Sequence, residues 1–199
     1  DIVITKQFKQ PYEGTLQIIS PNGPYVIYSS YTIDDNTGNS NQEVDFGEFI
    51  SMAVDVQNVG SIDATLVNIN ISTIDPYITL INTSDVINVI PSQQIVSTTN
   101  PFTFQVSNQI PDQHIVVFNL QMTDNLGNSW NSTHNITVNA PSLDHISFYI
   151  DDSSLGNGNG KLDAGETVDL LVDVTNIGHA DFDPLSIITA NMSCITNYV

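Results

Sequence analysis

The stretch Phe49-Ile50-Ser51-Met52-Ala53-Val54-Asp55-Val56 carries the clearest alternation in the chain. Ile50, Met52, Val54 and Val56 point one way, and Phe49, Ser51, Ala53 and Asp55 the other. A period of two is that of a β-strand with one face in a core and one in water. Working outward, Val67, Ile69 and Ile71 alternate with Asn68, Asn70 and Ser72. Phe102, Phe104 and Val106 repeat the pattern, as do Val116, Phe118, Leu120 and Met122, while Trp130, Ile136 and Val138 share one parity. No segment carries a convincing 3.6-residue period, and the abundance of Ile, Val, Thr, Asn and Ser favours strands.

Turn chemistry separates these runs: Asn-Val-Gly (58–60), Ile-Asp-Pro (74–76), Asn-Pro (100–101), Ile-Pro-Asp (110–112) and Asp-Asn-Leu-Gly-Asn (124–128). About seven strands are expected between Tyr25 and Val138, an all-β, immunoglobulin-like sandwich without the Cys-Trp-Cys signature of antibody domains.

An internal repeat organises the chain. Gly38–Asp63 aligns without gaps on Gly156–Asp181 at an offset of 118, with 12 of 26 positions identical. Those positions are Gly38, Asn39, Asn41, Asp45, Gly47, Glu48, Val54, Asp55, Val56, Asn58, Gly60 and Asp63. Ile33-Asp34-Asp35 matches Ile150-Asp151-Asp152 after a one-residue gap. A domain-length offset predicts tandem sandwiches. Residues 21–140 are read as one complete immunoglobulin-like sandwich and 141–199 as the N-terminal half of a second, joined by a short linker at 141–145. Residues 1–20 are read as the last strand of a preceding immunoglobulin-like domain, followed by a turn at Pro11-Tyr12-Glu13-Gly14 and a connection. A chain that begins at Asp1 and stops halfway through a repeat is expected to be an excerpt of a longer polypeptide.

The formal net charge of −19, with three Lys and no Arg, excludes nucleic acid and anionic membrane surfaces as partners, because both need cationic side chains. No apolar run is long enough to span a bilayer, so membrane insertion is not expected. The natural counter-charge is a cation, although acidity also serves solubility alone. Cys194 is the single cysteine, which forbids an intrachain disulfide; no neighbouring motif makes it a nucleophile, and it is read as an inert thiol.

The repeated loop carries the candidate chemistry. Its second copy is Asp151-Asp152-Ser153-Ser154-Leu155-Gly156-Asn157-Gly158-Asn159-Gly160-Lys161-Leu162-Asp163-Ala164-Gly165-Glu166. Calcium takes six to eight oxygens from carboxylates, amides and backbone. With Leu155 at position 1 of an EF-hand-like count, Asn157, Asn159, Asp163 and Glu166 fall at 3, 5, 9 and 12, and Gly160 at 6. Leu155 cannot ligate, so Asp151 or Asp152 must fold back to supply a carboxylate. The first copy keeps Asp34, Asp35, Asn39, Asn41, Asp45 and Glu48 but has Ser40 and Gln42 where the second has glycine, which makes the same backbone path harder. Gly, Asn and Asp also build ordinary long loops. Retention of the oxygen-bearing residues across diverged copies favours a structural Ca2+ site in each, with dissociation constants on the order of 0.1–1 mM.

The four histidines are scattered, and none has metal-ligand spacing; His114 and His134 share parity with core positions and read as core or edge residues. No nucleophile elbow or phosphate loop is present.

The text TKQFKQPYEGTLQIISPNGPYVIYSSY (5–31), followed by IDDNTGNSNQEVDFGE (33–48), resembles segments downstream of the catalytic domain in gingipain-like secreted cysteine peptidases of bacteria. GNGNGKLDAGE (156–166) with NIG (176–178) is similar to calcium-loop sandwich repeats of secreted bacterial hydrolases. The resemblance covers most of 1–70 and 145–182 and carries over no catalytic residue. It implies a non-catalytic accessory or spacer region of a secreted or cell-surface protein, whose partners are the adjacent domains of the same polypeptide. The competing expectation is an adhesin or surface-layer module that binds extracellular glycan or protein, with Tyr12, Tyr25, Tyr28 and Tyr77 as raw material. An enzyme in its own right is the third.

Overall fold

A strand spans Phe49–Asn58, and its alternate residues Ile50, Met52, Val54 and Val56 are 0–1% exposed. It belongs to a computed structural model of the protein that describes residues 2–14, 21–182 and 187–193. In chain order the strands are β1 Ile2–Ile4, β2 Tyr12–Gly14, β3 Val26–Asp34, β4 Phe49–Asn58, β5 Ala64–Ser72, β6 Ile78–Asn82 and β7 Ser84–Ile90. They continue with β8 Ile95–Ser97, β9 Phe102–Val106, β10 His114–Thr123, β11 Ser129–Val138, β12 Leu143–Asp151 and β13 Asp169–Asn176. The described residues contain no helix, and so none able to cross a membrane.

Two antiparallel sheets form the body. One runs β3-β4-β9-β6, with β8 also paired to β4; the other runs β11-β10-β5-β7. Their inward faces share one core: Ile50, Met52, Val54, Val56, Phe102 and Phe104 from the first, and Val67, Ile69, Val116, Phe118, Leu120 and Met122 from the second. The Phe104 and Phe118 rings meet across the sheets at 5.2 Å, tilted by 45°. Burial of each such side chain is worth about 1.5–3 kcal/mol. The result is an all-β, sandwich-like body.

Nine strands, β3 to β11, occupy the stretch where seven were expected. The extra ones are hidden by broken alternation. In β7, Asp85, Ile87 and Ile90 are buried while Val86 and Val89 are 50% and 46% exposed, so apolar residues line both faces. β8 has three residues, too few to show a period. Pro11–Gly14, read as a turn, is instead the approach to β2 and β2 itself, which pairs antiparallel with β1. The reversal lies earlier, where Phe8 takes a positive φ of 64° and Lys9 N–H bonds to Lys6 O. β12 begins at Leu143, which shortens the linker read at 141–145.

The sequence repeat is a structural repeat. β12 pairs with β13 as β3 pairs with β4, and both hairpins carry a bulge at the same place, between Tyr28 and Ser30 and between His145 and Ser147. Each bulge serine donates to an aspartate on the partner strand: Ser30 Oγ to Asp55 Oδ2 at 2.6 Å, and Ser147 Oγ to Asp173 Oδ2 at 2.7 Å. The hairpins differ in cover. β4 lies under the opposite sheet, whereas Phe148, Val172 and Val174 remain 60%, 48% and 49% exposed.

Candidate metal centre

The acidic loops join the two strands of each hairpin, and their backbone is set by Asx turns. In the first, Asn41 N–H donates to Asn39 Oδ1 at 3.0 Å and Glu43 N–H to Asn41 Oδ1 at 2.7 Å. In the second, Asn159 N–H donates to Asn157 Oδ1 at 3.1 Å and Lys161 N–H to Asn159 Oδ1 at 2.8 Å. The intervening residues are left-handed: Ser40 (φ 60°) and Gln42 (φ 67°) match Gly158 (76°) and Gly160 (73°). The first loop therefore keeps the path without its glycines, at a cost of about 1–2 kcal/mol per residue.

Both loops turn their asparagine amides onto one aspartate. Asn39 and Asn41 donate Nδ2–H to Asp45 Oδ2 at 2.6 and 2.9 Å; Asn157 and Asn159 donate to Asp163 Oδ2 at 3.0 and 2.8 Å. The closing glutamate accepts two backbone N–H groups in each copy. Glu48 takes those of Asn39 (3.1 Å) and Asp45 (3.0 Å), and Glu166 those of Asn157 (2.9 Å) and Asp163 (3.1 Å). A Cβ on Gly38 would overlap the Glu48 carboxylate, and one on Gly156 would press on Asp152 and Glu166, which explains glycine at that position.

Asp152 is the residue that folds back. Its carboxylate accepts Asn159 N–H at 2.9 Å and Gly160 N–H at 3.1 Å, and it is 3% exposed. Asp35 does the same in the first loop, accepting Gln42 N–H at 3.0 Å with 3% exposure. Asp34 and Asp151 are the outer members of the pair. Both are exposed and cap the next turn, Asp34 through Asn36 N–H (3.0 Å) and Asp151 through Ser153 N–H (3.1 Å) and Ser153 Oγ (2.6 Å).

The two copies differ in burial. In the first, Asp35, Asp45 and Glu48 are 3%, 2% and 7% exposed; in the second, Asp163 is exposed and Glu166 only half-buried. Burial raises the Glu48 pKa, opposed by the Asn39 and Asp45 N–H bonds and reinforced by repulsion from Asp45 and Asp35. Among the described residues the ion pairs are His114–Asp75 and His179–Asp112, so no basic side chain answers this cluster. Asp45 Oδ1 is buried and has no hydrogen-bond partner among the described residues. A buried carboxylate oxygen without a donor is costly unless a water or a cation meets it. Among the described residues no three carboxylate, imidazole or thiol groups converge closely enough to hold an ion by themselves. An ion here would draw on Asp35, Asp45 and Glu48 together with the second lone pairs of the Asn39 and Asn41 amide oxygens, a hard-cation donor set.

No protein-family model and no curated protein matches this chain.

The other candidates are occupied elsewhere. His114 Nε2 lies 2.7 Å from Asp75, and its ring meets Tyr77 edge-on at 5.2 Å. His134 is packed between Tyr28 and Tyr31 at 4.9 and 4.3 Å, away from the acidic loops; desolvation lowers its pKa, and its buried Nε2 has no partner among the described residues. Cys194 lies outside the described residues. One residue beside the site escaped the sequence reading: Asn139 is bridged to the first loop and carries no motif.

Proposed function

We propose that this chain is a non-catalytic accessory or spacer region of a secreted, cell-surface bacterial peptidase of the gingipain-like kind, built of tandem immunoglobulin-like sandwiches and stiffened by Ca2+ in the repeated acidic loops. The observation that carries the metal reading is the orphaned, buried Asp45 Oδ1 among carboxylates that have no basic partner among the described residues. Repetition of the same hydrogen bonds in the second loop supports a selected geometry over an incidental turn. The immunoglobulin-like reading is supported by strand order. With β7 and β8 set aside, β3-β4-β9-β6 and β11-β10-β5 follow the ABED and GFC orders of a constant-type domain. The modest affinity of such loops suits the millimolar calcium range of extracellular modules.

The peptidase context rests on the resemblance of residues 5–48. A glycan- or protein-binding role in an adhesin is the second reading. It draws on an aromatic row along the β3/β11 edge: Tyr25 near Trp130 at 6.5 Å, then Tyr28, His134 and Tyr31. Only Tyr25, 43% exposed, is open in that row, while Tyr28, Tyr31 and Tyr77 pack on the core. The test is a pair of assays on the purified chain. Neither cleavage of a denatured protein substrate nor retention on a glycan array is expected. Glycan binding abolished by Tyr25→Ala would favour the adhesin, and peptide cleavage would overturn both readings.

A further inference from the structure

The first acidic loop lies against the connection between the two hairpin-bearing units. Asn139, which follows β11 and is 8% exposed, is bracketed by the loop: its N–H donates to Val44 O at 2.9 Å, and its carbonyl accepts Phe46 N–H at 2.9 Å. The two bonds make a parallel bridge between Asp45 and Asn139. Asn139 Nδ2 also donates to Glu43 Oε2 at 2.8 Å, and Gln113 Nε2 donates to Asn139 Oδ1 at 2.6 Å. The next residue grips the second unit. Ala140 O accepts the N–H groups of His179 (3.2 Å) and Ala180 (3.4 Å). Asp112 clamps the same point, its Oδ1 taking the N–H groups of Ala140 (3.0 Å) and His179 (3.2 Å), and its Oδ2 meeting His179 Nδ1 at 2.7 Å.

The residue that holds the orphaned oxygen is thus one hydrogen-bonded rung from residue 139, and one peptide bond separates that rung from the grip on the second unit. We infer that an ion held by the first loop also fixes the joint between the two units, so that cation binding and the set of the joint form one equilibrium. The inference rests on the calcium reading above. Without an ion, the gathered charges of Asp35, Asp45 and Glu48 favour opening of the 43–46 segment, and opening it removes both rungs on Asn139. With an ion, that segment is held and the joint closes on a fixed edge. Linkage is reciprocal, so a loosened joint weakens the first loop's affinity in turn. The second loop serves as an internal control, because its equivalent segment, 161–164, makes no such bridge among the described residues.

The experiment is amide hydrogen exchange on the 199-residue chain in excess calcium and in EDTA, with calorimetric calcium titration alongside. At ten times Kd, exchange at Asn139, His179 and Ala180 is expected to slow by about tenfold. The same slowing is expected in Glu166→Gln, which spares the first loop, and none in Glu48→Gln. Calcium heat from the first loop with unchanged exchange at His179 and Ala180 would overturn the coupling and leave the metal site standing. No calcium heat in the wild type or in Glu166→Gln would overturn the metal reading and the coupling with it. Asp112→Ala gives an independent check, since it touches no proposed ligand. Weaker calcium binding at the first loop is expected, and unchanged affinity would count against the coupling.

Discussion

Glu48 carries a charge in a place that resists it. Burial raises its pKa, and the two N–H groups that hold it offset only part of that cost. Replacing it by glutamine relieves the buried charge but loses one accepted N–H bond. In chelator the two effects nearly cancel, and Glu48→Gln is expected to cost below about 1 kcal/mol. In calcium at ten times Kd it forfeits a further ~1.4 kcal/mol of linked stabilisation. Chemical denaturation in both media separates the terms, and an equal loss in both would mean that Glu48 only shapes the loop. Gln42 makes the complementary case. It holds φ at 67° where the second copy has Gly160, and among the described residues no hydrogen bond to its side chain offsets the strain. Gln42→Gly is therefore expected to stabilise by roughly 1 kcal/mol, read from the denaturation midpoint. A destabilised variant would show that the glutamine side chain has a role beyond its backbone.

At the scale of elements, the Asn-X-Gly turn ties down the open end of each hairpin. Asn58 is fully buried and makes four bonds: Oδ1 accepts Tyr25 N–H and Gly60 N–H at 3.0 Å each, and Nδ2 donates to Ile62 O at 2.8 Å and Ile90 O at 3.0 Å. Asn176 repeats three of these with Ser142, Gly178 and Ala180. A Cβ on Gly60 would overlap the Gly23 carbonyl, so the glycine is required by close approach. Asn58→Ala leaves several buried groups unpaired and is expected to cost about 3 kcal/mol by thermal or chemical denaturation. A cost below 1 kcal/mol would show that water replaces the side chain. The joint clamp has its own signature in pH. Ala140 N–H and then His179 hold the Asp112 carboxyl at about 2. A carboxyl whose folded pKa is depressed contributes stability above its ordinary value, lost as pH falls towards the folded one. The stabilities of wild type and Asp112→Asn should therefore differ at neutral pH and converge as pH falls from 3.8 to about 2. A constant difference across that window would mean that the carboxylate charge plays no part.

For the whole molecule, the strands with one clean face were legible in the sequence because a period of two survives wherever one side meets water. β7 escaped because apolar residues line both its faces, and β2 because Pro11 and Gly14 read as a turn. The repeat gave the two loops, and a ligand count with a non-ligating leucine required Asp151 or Asp152 to fold back; the structure selects Asp152. It could not give Asn139, because that depends on which segment the chain brings against the loop. Whether the first loop is a cation site built into the sandwich is read by melting the 199-residue chain in excess calcium and in EDTA, with Glu48→Gln beside it. A calcium-dependent rise of about 4 °C in Tm at ten times Kd, most of it absent from Glu48→Gln, is the predicted result. Identical melting of the wild-type chain in calcium and in chelator would contradict it.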